Sequence, residues 1–509
     1  MIADFGYYFL ICSAISCIFS CFYIRENSRA FAIFFSLSNV FVIFSYFILL
    51  YLFVVSDLRV ISVLMNSSDL MELKYKIAAT WSSHETSLIF WAFLMSICNL
   101  GFAIYSKFKY RFSLITLTIL LSSFLIIIIF TANPFKYIDS VAKNGLGMNP
   151  ALQDFGMMIH PPLLYISYNF LALILSFEIS NFFGKKIENK IITNISRIAL
   201  SCLTFAIGLG SWWAYRELGW GGYWFFDPVE NISLLVWLFA IAYHHTILQK
   251  DMEITKTILA LMPFLSAIVG TFFVRSGLLI SVHSFAESES SIYLMIICFI
   301  FSIFSLFLIS KKIINSKYQT SSYSSKTIFI QAGNYFWIGS SLIIILSLIA
   351  PLFYKLLASE IIDIKPKFFE NTLIPLMLIA SAISGAVYFN RNFKKLALIM
   401  ASSSPALLIY IFCKSIILTA AYYVGIFIII ASIIRIGEKL KQGGLQAPSI
   451  SMFGGHIGAA LLIISIALNI QFKESKNIIA NEGDKVELWG DKSAFIQKIT
   501  YGNGKYYSI

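Results

Sequence analysis

The sequence predicts an all-α, polytopic integral membrane protein of about fourteen transmembrane helices, with a short β-like tail outside the membrane. Three observations lead there. Of 509 residues, 58% are hydrophobic and only 13% charged, and the mean hydropathy is +0.80. Apolar runs of about 20 residues, the length needed to cross a hydrocarbon core roughly 30 Å thick, recur along the chain. The charges fall in short clusters between those runs.

The expected spans are 3–24, 30–55, 86–105, 113–132, 159–180, 198–215, 232–249, 257–274, 292–310, 329–354, 371–389, 396–413, 415–434 and 451–471. The net charge of +12 does not indicate nucleic acid, because the basic residues form no separate polar domain. They act as topology signals instead. One set of alternate loops, beginning with Arg25 and Arg29 and ending at Lys441, holds 21 Lys and Arg, and the opposite set without the tail holds 11. The positive-inside rule then makes the first set cytoplasmic and turns both termini outward. The first ten residues lack a basic n-region, so the first span is expected to be retained. No repeat or Gly/Ser linker divides the chain. It reads as one membrane domain, 1–471, followed by an outer tail, 472–509, with β-like stretches at KVELWG and SAFIQKITYG.

Negative evidence narrows the chemistry. The seven cysteines, Cys12, Cys17, Cys21, Cys98, Cys202, Cys298 and Cys413, lie in apolar runs and form no C-x-x-C. They read as small core residues rather than a redox pair. No phosphate-binding G-x-x-x-x-G-K-[ST] loop is present.

The segment 208–237, GLGSWWAYRELGWGGYWFFDPVENISLLVW, gathers five of the nine tryptophans between two apolar runs on the outer side. Interfacial anchoring alone does not need that density. Gly219, Gly221 and Gly222 let the backbone approach a flat ligand while Trp220, Tyr223 and Trp224 offer ring faces. Asp227-Pro228-Val229-Glu230 also matches a capping box that opens the next helix, and Ser82-Ser83-His84-Glu85 repeats the logic before the third span. His84 reads as interface packing. Arg216 and Arg275 at the outer boundary either snorkel or meet carboxylates of a bound ligand.

The remaining histidines sort by depth. His160 precedes Pro161 and Pro162, which places it at an outer helix entrance, and His283 lies in an outer loop. Both face the aromatic segment and could ligate an iron from opposite sides. His245 and His456 each lie four or five residues from the inner end of a span, about 6 to 8 Å inside the boundary at about 1.5 Å per residue. Equal depth suits a shared ligand such as heme iron. His244 points about 100° away on the same helix, and counting alone does not choose between the neighbours.

Five motifs carry a family resemblance: YKIAATWSSHETSLIFW at 75–91, NPALQDFGMMIHPPLLY at 149–165, the segment 208–237, GTFFVRSGLLISVHSFA at 270–286 and FGGHIGAA at 453–460. Together they resemble the CcmF/NrfE family of WWD-domain heme-handling proteins, bacterial inner-membrane components of cytochrome c maturation. The resemblance implies that Trp220, Gly221, Gly222, Tyr223, Trp224 and Asp227 form the heme platform. It further implies that His160 and His283 flank heme at the outer face, and that His245 and His456 hold an internal b-type heme. Tyr223 and Phe226 stand where the family commonly has Trp, and WSSHETS departs from the usual WGGHEGS. The tail looks shortened relative to the family's larger outer domain.

The implied activity is heme lyase: heme from the chaperone CcmE is attached covalently at the periplasmic face to an apocytochrome c bearing C-x-x-C-H. CcmH/CcmI-type subunits would handle the apocytochrome, and quinol is a candidate electron donor. A heme exporter without lyase activity would need the same platform. An ion-coupled transporter predicts acids at mid-membrane, and the spans carry almost none, with Glu178 near an inner end.

Overall fold

The structure, a computed structural model, describes residues 2–25, 28–139, 143–218, 224–249, 252–279, 281, 288–315, 325–358, 362, 364–389, 392–472, 481–487, 493–496, 500–501 and 507–508. Trp220, Gly221, Gly222, Tyr223 and His283 lie outside the described residues.

The first half comprises α1 (Ile2–Phe22), α2 (Ser28–Val54), two short helices α3 (Ile61–Asn66) and α4 (Leu73–Ala79), then α5 (His84–Tyr105), α6 (Arg111–Phe130), α7 (Phe155–Phe182) and α8 (Asn189–Glu217). The second comprises α9 (Pro228–Thr246), α10 (Glu253–Arg275), α11 (Ser290–Asn315), α12 (Ser325–Ala358), α13 (Pro366–Ala386), α14 (Phe393–Ser402), α15 (Tyr410–Cys413), α16 (Ile416–Lys441) and α17 (Ala447–Phe472). Two antiparallel hairpins follow: β1 (Lys485–Glu487) with β2 (Ser493–Phe495), and β3 (Thr500–Tyr501) with β4 (Tyr507–Ser508). The first three strands fall on the stretches the sequence marked as β-like, and β4 lies beyond them.

Among the described residues twelve helices are long and apolar enough to cross a membrane: α1, α2, α5 to α8, α10 to α13, α16 and α17. The chain is an all-α multi-pass membrane protein. Two of the fourteen expected spans stand apart. The 19-residue α9 is diluted by Glu230, Asn231, His244 and His245, and it packs against α8, α10 and α12. The run 396–413 is no continuous helix. It breaks into α14, a 3₁₀ turn at Ser404–Ile409 and α15. Composition concealed the reason. The hydroxyls of Ser402 and Ser403 both donate to the Ile399 carbonyl, at 2.8 and 3.0 Å, in competition with the helix ladder, and Pro405 has no N–H with which to continue it.

Between helices, small polar side chains substitute for the hydrophobic drive that lipid does not supply. Ser13 donates to the Ser38 carbonyl at 2.6 Å and Ser45 to the Gly6 carbonyl at 2.7 Å, which joins α1 to α2. Asn99 reaches Asn39 at 3.1 Å, linking α5 to α2, and Ser167 reaches the Ala199 carbonyl at 2.8 Å, linking α7 to α8. Glu178, the acid noted in the sequence, is buried and accepts from Thr257 of α10 at 2.5 Å. The main core runs from α1 to α13 and includes the fully buried Trp91, Phe177 and Phe264. By contrast α11 turns Ile292, Phe299, Ile303 and Leu306 outward, as a lipid-facing helix should.

Candidate functional site

The outer cluster is built by helix starts. Asp227 caps α9, accepting from the backbone N–H groups of Val229 at 2.9 Å and Glu230 at 3.5 Å. Glu230 reaches back to the N–H groups of Phe225 and Asp227 at 3.2 and 3.3 Å, so the predicted capping box forms. Asp227 Oδ1 does a second thing: it accepts from the Ser281 hydroxyl at 2.7 Å. The preceding residue, Phe226, has φ +58°, a region bulky side chains avoid. Its carbonyl accepts from Asn231 at 2.9 Å, and its ring stacks on Phe369 at 4.6 Å, which together offset a backbone cost of about 1–3 kcal/mol. Trp224 lies edge-on to Phe226 at 6.5 Å, and its indole N–H is buried with no partner among the described residues.

His84 acquires a position that its sequence context did not reveal. The box expected over Ser82–Glu85 forms one residue later, with Ser83 capping α5 and Thr86 in place of Glu85 as its partner, and the His84 ring contacts Ser288 and lies 3.0 Å from Ser290. Ser281 and Ser288 sit on either side of His283. The stretch that carries His283 is therefore tied to Asp227 before the histidine and to His84 after it.

His160 lies inside a helix and not at its entrance. Asp154 caps α7 by accepting from Gly156 at 2.7 Å and Met157 at 3.4 Å, so the helix begins before the prolines and runs through Pro161 and Pro162. Proline is costly within a helix because it removes a donor, but a strong cap upstream and close packing on α8 hold the turn. The ring is fixed there: His160 Nδ1–H donates to the Ala206 carbonyl at 2.7 Å, which leaves Nε2 as the basic nitrogen. Gly210 makes this contact possible, since a Cβ at that position would lie 2.6 Å from His160 Cε1. Ala206, Gly210 and Ala214 form a small-residue stripe at four-residue spacing, a pattern visible in the sequence but not used there.

The two outer arginines are engaged by protein groups. Arg216 pairs with Asp154 and lies 3.9 Å over the Trp212 ring. Arg275 is buried at 2% exposure and donates to Ser87 at 2.7 Å. Each stabilises the outer framework, linking α8 to α7 and α10 to α5.

At the inner end His245 and His456 come together, with ring centroids 6.4 Å apart. His244 turns away and meets the Ser196 hydroxyl of α8 at 2.9 Å. The roughly 100° between adjacent helix positions thus sends one histidine to α8 and the other to α17. His245 Nδ1–H donates to the Ile241 carbonyl at 2.8 Å, fixing Nε2 as its basic atom. His456 Nδ1 is 2.5 Å from the Tyr388 hydroxyl. Tyr388, at the end of α13, escaped sequence reasoning because nothing local ties it to a histidine 68 residues away.

Two imidazoles on one metal, with bonds of about 2 Å and roughly 1 Å from each nitrogen to its ring centre, place the centroids about 6 Å apart. The observed separation fits that requirement. Among the described residues no group of three or more His, Cys, Asp or Glu could enclose a bare ion, so the donor set suits a metal whose other ligands come with it.

Residues 81–283 match the family model described as Cytochrome C assembly protein, a range that takes in His84, His160, the aromatic segment, His245 and His283. The chain is 29% identical over 497 residues to the cytochrome c-type biogenesis protein CcmF of Escherichia coli K12, covering 91% of this chain and 75% of that protein. It is 37% identical over 248 residues to the cytochrome c-type biogenesis protein NrfE of Haemophilus influenzae, covering 47% and 39% of the two chains. A solved structure titled Cytochrome c Heme Lyase CcmF superposes with a TM-score of 0.71 at 18% identity, covering 92% of this chain and 75% of that one, a likeness of fold. The five sequence motifs and these matches agree: the chain is similar over most of its length to the cytochrome c-type biogenesis protein CcmF, and over about half of it to NrfE.

Proposed function

We propose that this chain is a heme lyase of cytochrome c maturation, joining heme to apocytochrome c at the periplasmic face of a bacterial inner membrane. The observation that carries the reading is the His245–His456 pair, whose separation, with Nε2 fixed as the basic atom of His245, would suit the two rings to hold one heme iron. The relatives' names, cytochrome c-type biogenesis protein and cytochrome c heme lyase, supply the client and the reaction.

In this reading the membrane domain 1–471 holds two heme positions and the tail 472–509 lies outside. At the outer face the substrate heme, delivered by the chaperone CcmE, rests on Trp220, Gly221, Gly222, Tyr223 and Trp224, with Asp227 ordering the end of the platform. His160 and His283 bind its iron from opposite sides. The indole N–H of Trp224, buried without a partner among the described residues, is a donor available to a polar group of that substrate. The two thiols of a C-x-x-C-H segment, presented by CcmH/CcmI-type subunits, then add across the two vinyl groups. Each sulfur bonds to a vinyl carbon and its proton goes to the neighbouring carbon, so nothing leaves. Holding thiol and vinyl in register supplies the acceleration.

An internal b-type heme supplies one-electron chemistry when bound, with quinol as its donor class. His245 and His456 hold its iron, and the Ile241 carbonyl and the Tyr388 hydroxyl orient their rings.

The test is a reduced-minus-oxidised visible spectrum with pyridine hemochrome analysis of the purified protein. A b-type signal is expected in the wild type and should vanish in His245→Ala and in His456→Ala at normal protein yield. A heme-replete wild type with no signal, or variants with a normal one, would remove the internal pair. Tyr388→Phe should keep the fold but weaken heme retention about 10- to 100-fold, the usual cost of losing a ligand's outer partner. Heme export without lyase activity is told apart by whether thioether-linked cytochrome forms.

A further inference from the structure

A cavity of about 240 Å³ opens at the inner ends of α8, α9 and α17, lined by Lys190, Asn194, Arg197, Leu248 and Pro448 among others. Two of these three helices carry the paired histidines. Leu248 lies one turn beyond His245, and Pro448 is two turns before His456. The third helix places Arg197 next to Ser196, the partner of His244, and within electrostatic reach of that ring. Arg197 therefore stands at the depth of the histidine pair.

Its charge is unanswered. Arg197 is half-buried within the span Asn189–Glu217 and forms no ion pair with any described residue. In the second half, by contrast, several basic groups meet acids: Lys395 and Arg435 both bind Glu438, the latter at 2.6 Å, and Lys256 and Lys312 share Glu253 at 2.8 and 3.4 Å. A cation in a span is rare unless it meets a counter-charge. Arg197 and Lys190 face the same cavity, and the first turns of α8 and α17 add the positive ends of two helix dipoles. These cations and helix ends favour an anion there, and the one carboxylate at the start of α8, Glu188, is itself paired with Lys109 at 3.1 Å.

We infer that Arg197, supported by Lys190, is a carboxylate-binding site for the propionate groups of the heme held between His245 and His456. This rests on the internal-heme reading above. The arginine presents a planar fork of donors matched to a carboxylate, and a second cation, Lys190, lies about two turns away on the same face of α8 for the other group. An anionic phospholipid headgroup offers the same charge, so the test must separate the two sources.

The experiment compares the full-length wild type with Arg197→Gln, Arg197→Lys and Lys190→Gln. Heme content per protein by pyridine hemochrome, and midpoint potential by redox titration, are measured in detergent with and without added anionic phospholipid. Arg197→Gln should lower retained heme several-fold and shift the potential of the remainder downward, because removing a cation favours the ferric form. Arg197→Lys should recover the potential more fully than the occupancy, since it restores charge but not the fork. Lys190→Gln should give a smaller change of the same sign. Unchanged heme content and potential in Arg197→Gln would overturn the inference. So would a variant that loses bound anionic lipid by native mass spectrometry yet keeps both heme values. A wild type without heme, or one indifferent to His245→Ala, instead defeats the internal-heme reading itself. Protein yield and helicity equal to wild type exclude misfolding as the cause.

Discussion

Gly210→Ala is expected to abolish cytochrome c maturation while leaving the internal heme spectrum intact. The added Cβ would lie 2.6 Å from Cε1 and 2.8 Å from Nδ1 of His160, well inside contact distance. The ring cannot yield without losing its bond to the Ala206 carbonyl. A displacement of about 1 Å at a positioned group can cost on the order of 100-fold in rate, and we expect a loss of that size in thioether-linked cytochrome. Stability should not account for it. Alanine is favoured over glycine inside a helix by roughly 0.5–1 kcal/mol, so propensity acts in the opposite direction. Heme-stained cytochrome would be measured in Gly210→Ala, in His160→Ala and in the double variant. The double should be no worse than either single, because both act through one ring. Normal maturation in Gly210→Ala would show that the ring's seat on α8 is irrelevant to the reaction.

The second large effect is expected at Asp227. Its carboxylate joins the start of α9 to Ser281 on the stretch that leads to His283. Asp227→Ala removes both functions. The helix loses about 1 kcal/mol of cap stabilisation, a modest cost for a protein of this size. Release of Ser281 matters more, as it frees one of the two ties flanking His283, and maturation should fall about 10- to 100-fold. Asp227→Asn is the informative control. Asparagine caps helices as well as aspartate and keeps an oxygen for Ser281, so its activity should stay within about a few-fold of wild type. If Asn fails as badly as Ala, the negative charge itself acts on the substrate and the tethering account is wrong.

These expectations divide between what local sequence encodes and what only packing reveals. The capping box at Asp227 was readable because a cap needs only residues three apart on one chain, while the start of α5 was readable but its box formed one residue later, between Ser83 and Thr86. Most membrane spans were readable for a similar reason: the bilayer tests composition and length, both properties of a contiguous run. The equal depth of His245 and His456 followed from counting rise along two helices. The break at Ser402–Pro405 was hidden inside an adequately apolar run, since hydropathy does not weigh backbone donors.

Other features depended on partners far apart in the chain. His84 binds Ser288 and Ser290, more than 200 residues away, and no local signal distinguishes that arrangement from simple packing. Arg216 could have met a ligand but meets Asp154. His160 looked like a helix-entrance residue because of its prolines, until the Asp154 cap moved the helix start upstream.

By itself, then, the sequence determined the all-α membrane class, the family motifs and the common level of His245 and His456, because hydropathy, caps and helical rise act locally. Only the tertiary structure decided that His245 and not His244 faces His456, that Tyr388 orients that pair, that Gly210 seats His160, and that Arg197 forms no ion pair among the described residues. Each of those outcomes turns on which helix face meets which neighbour, a choice made by packing between segments distant in sequence.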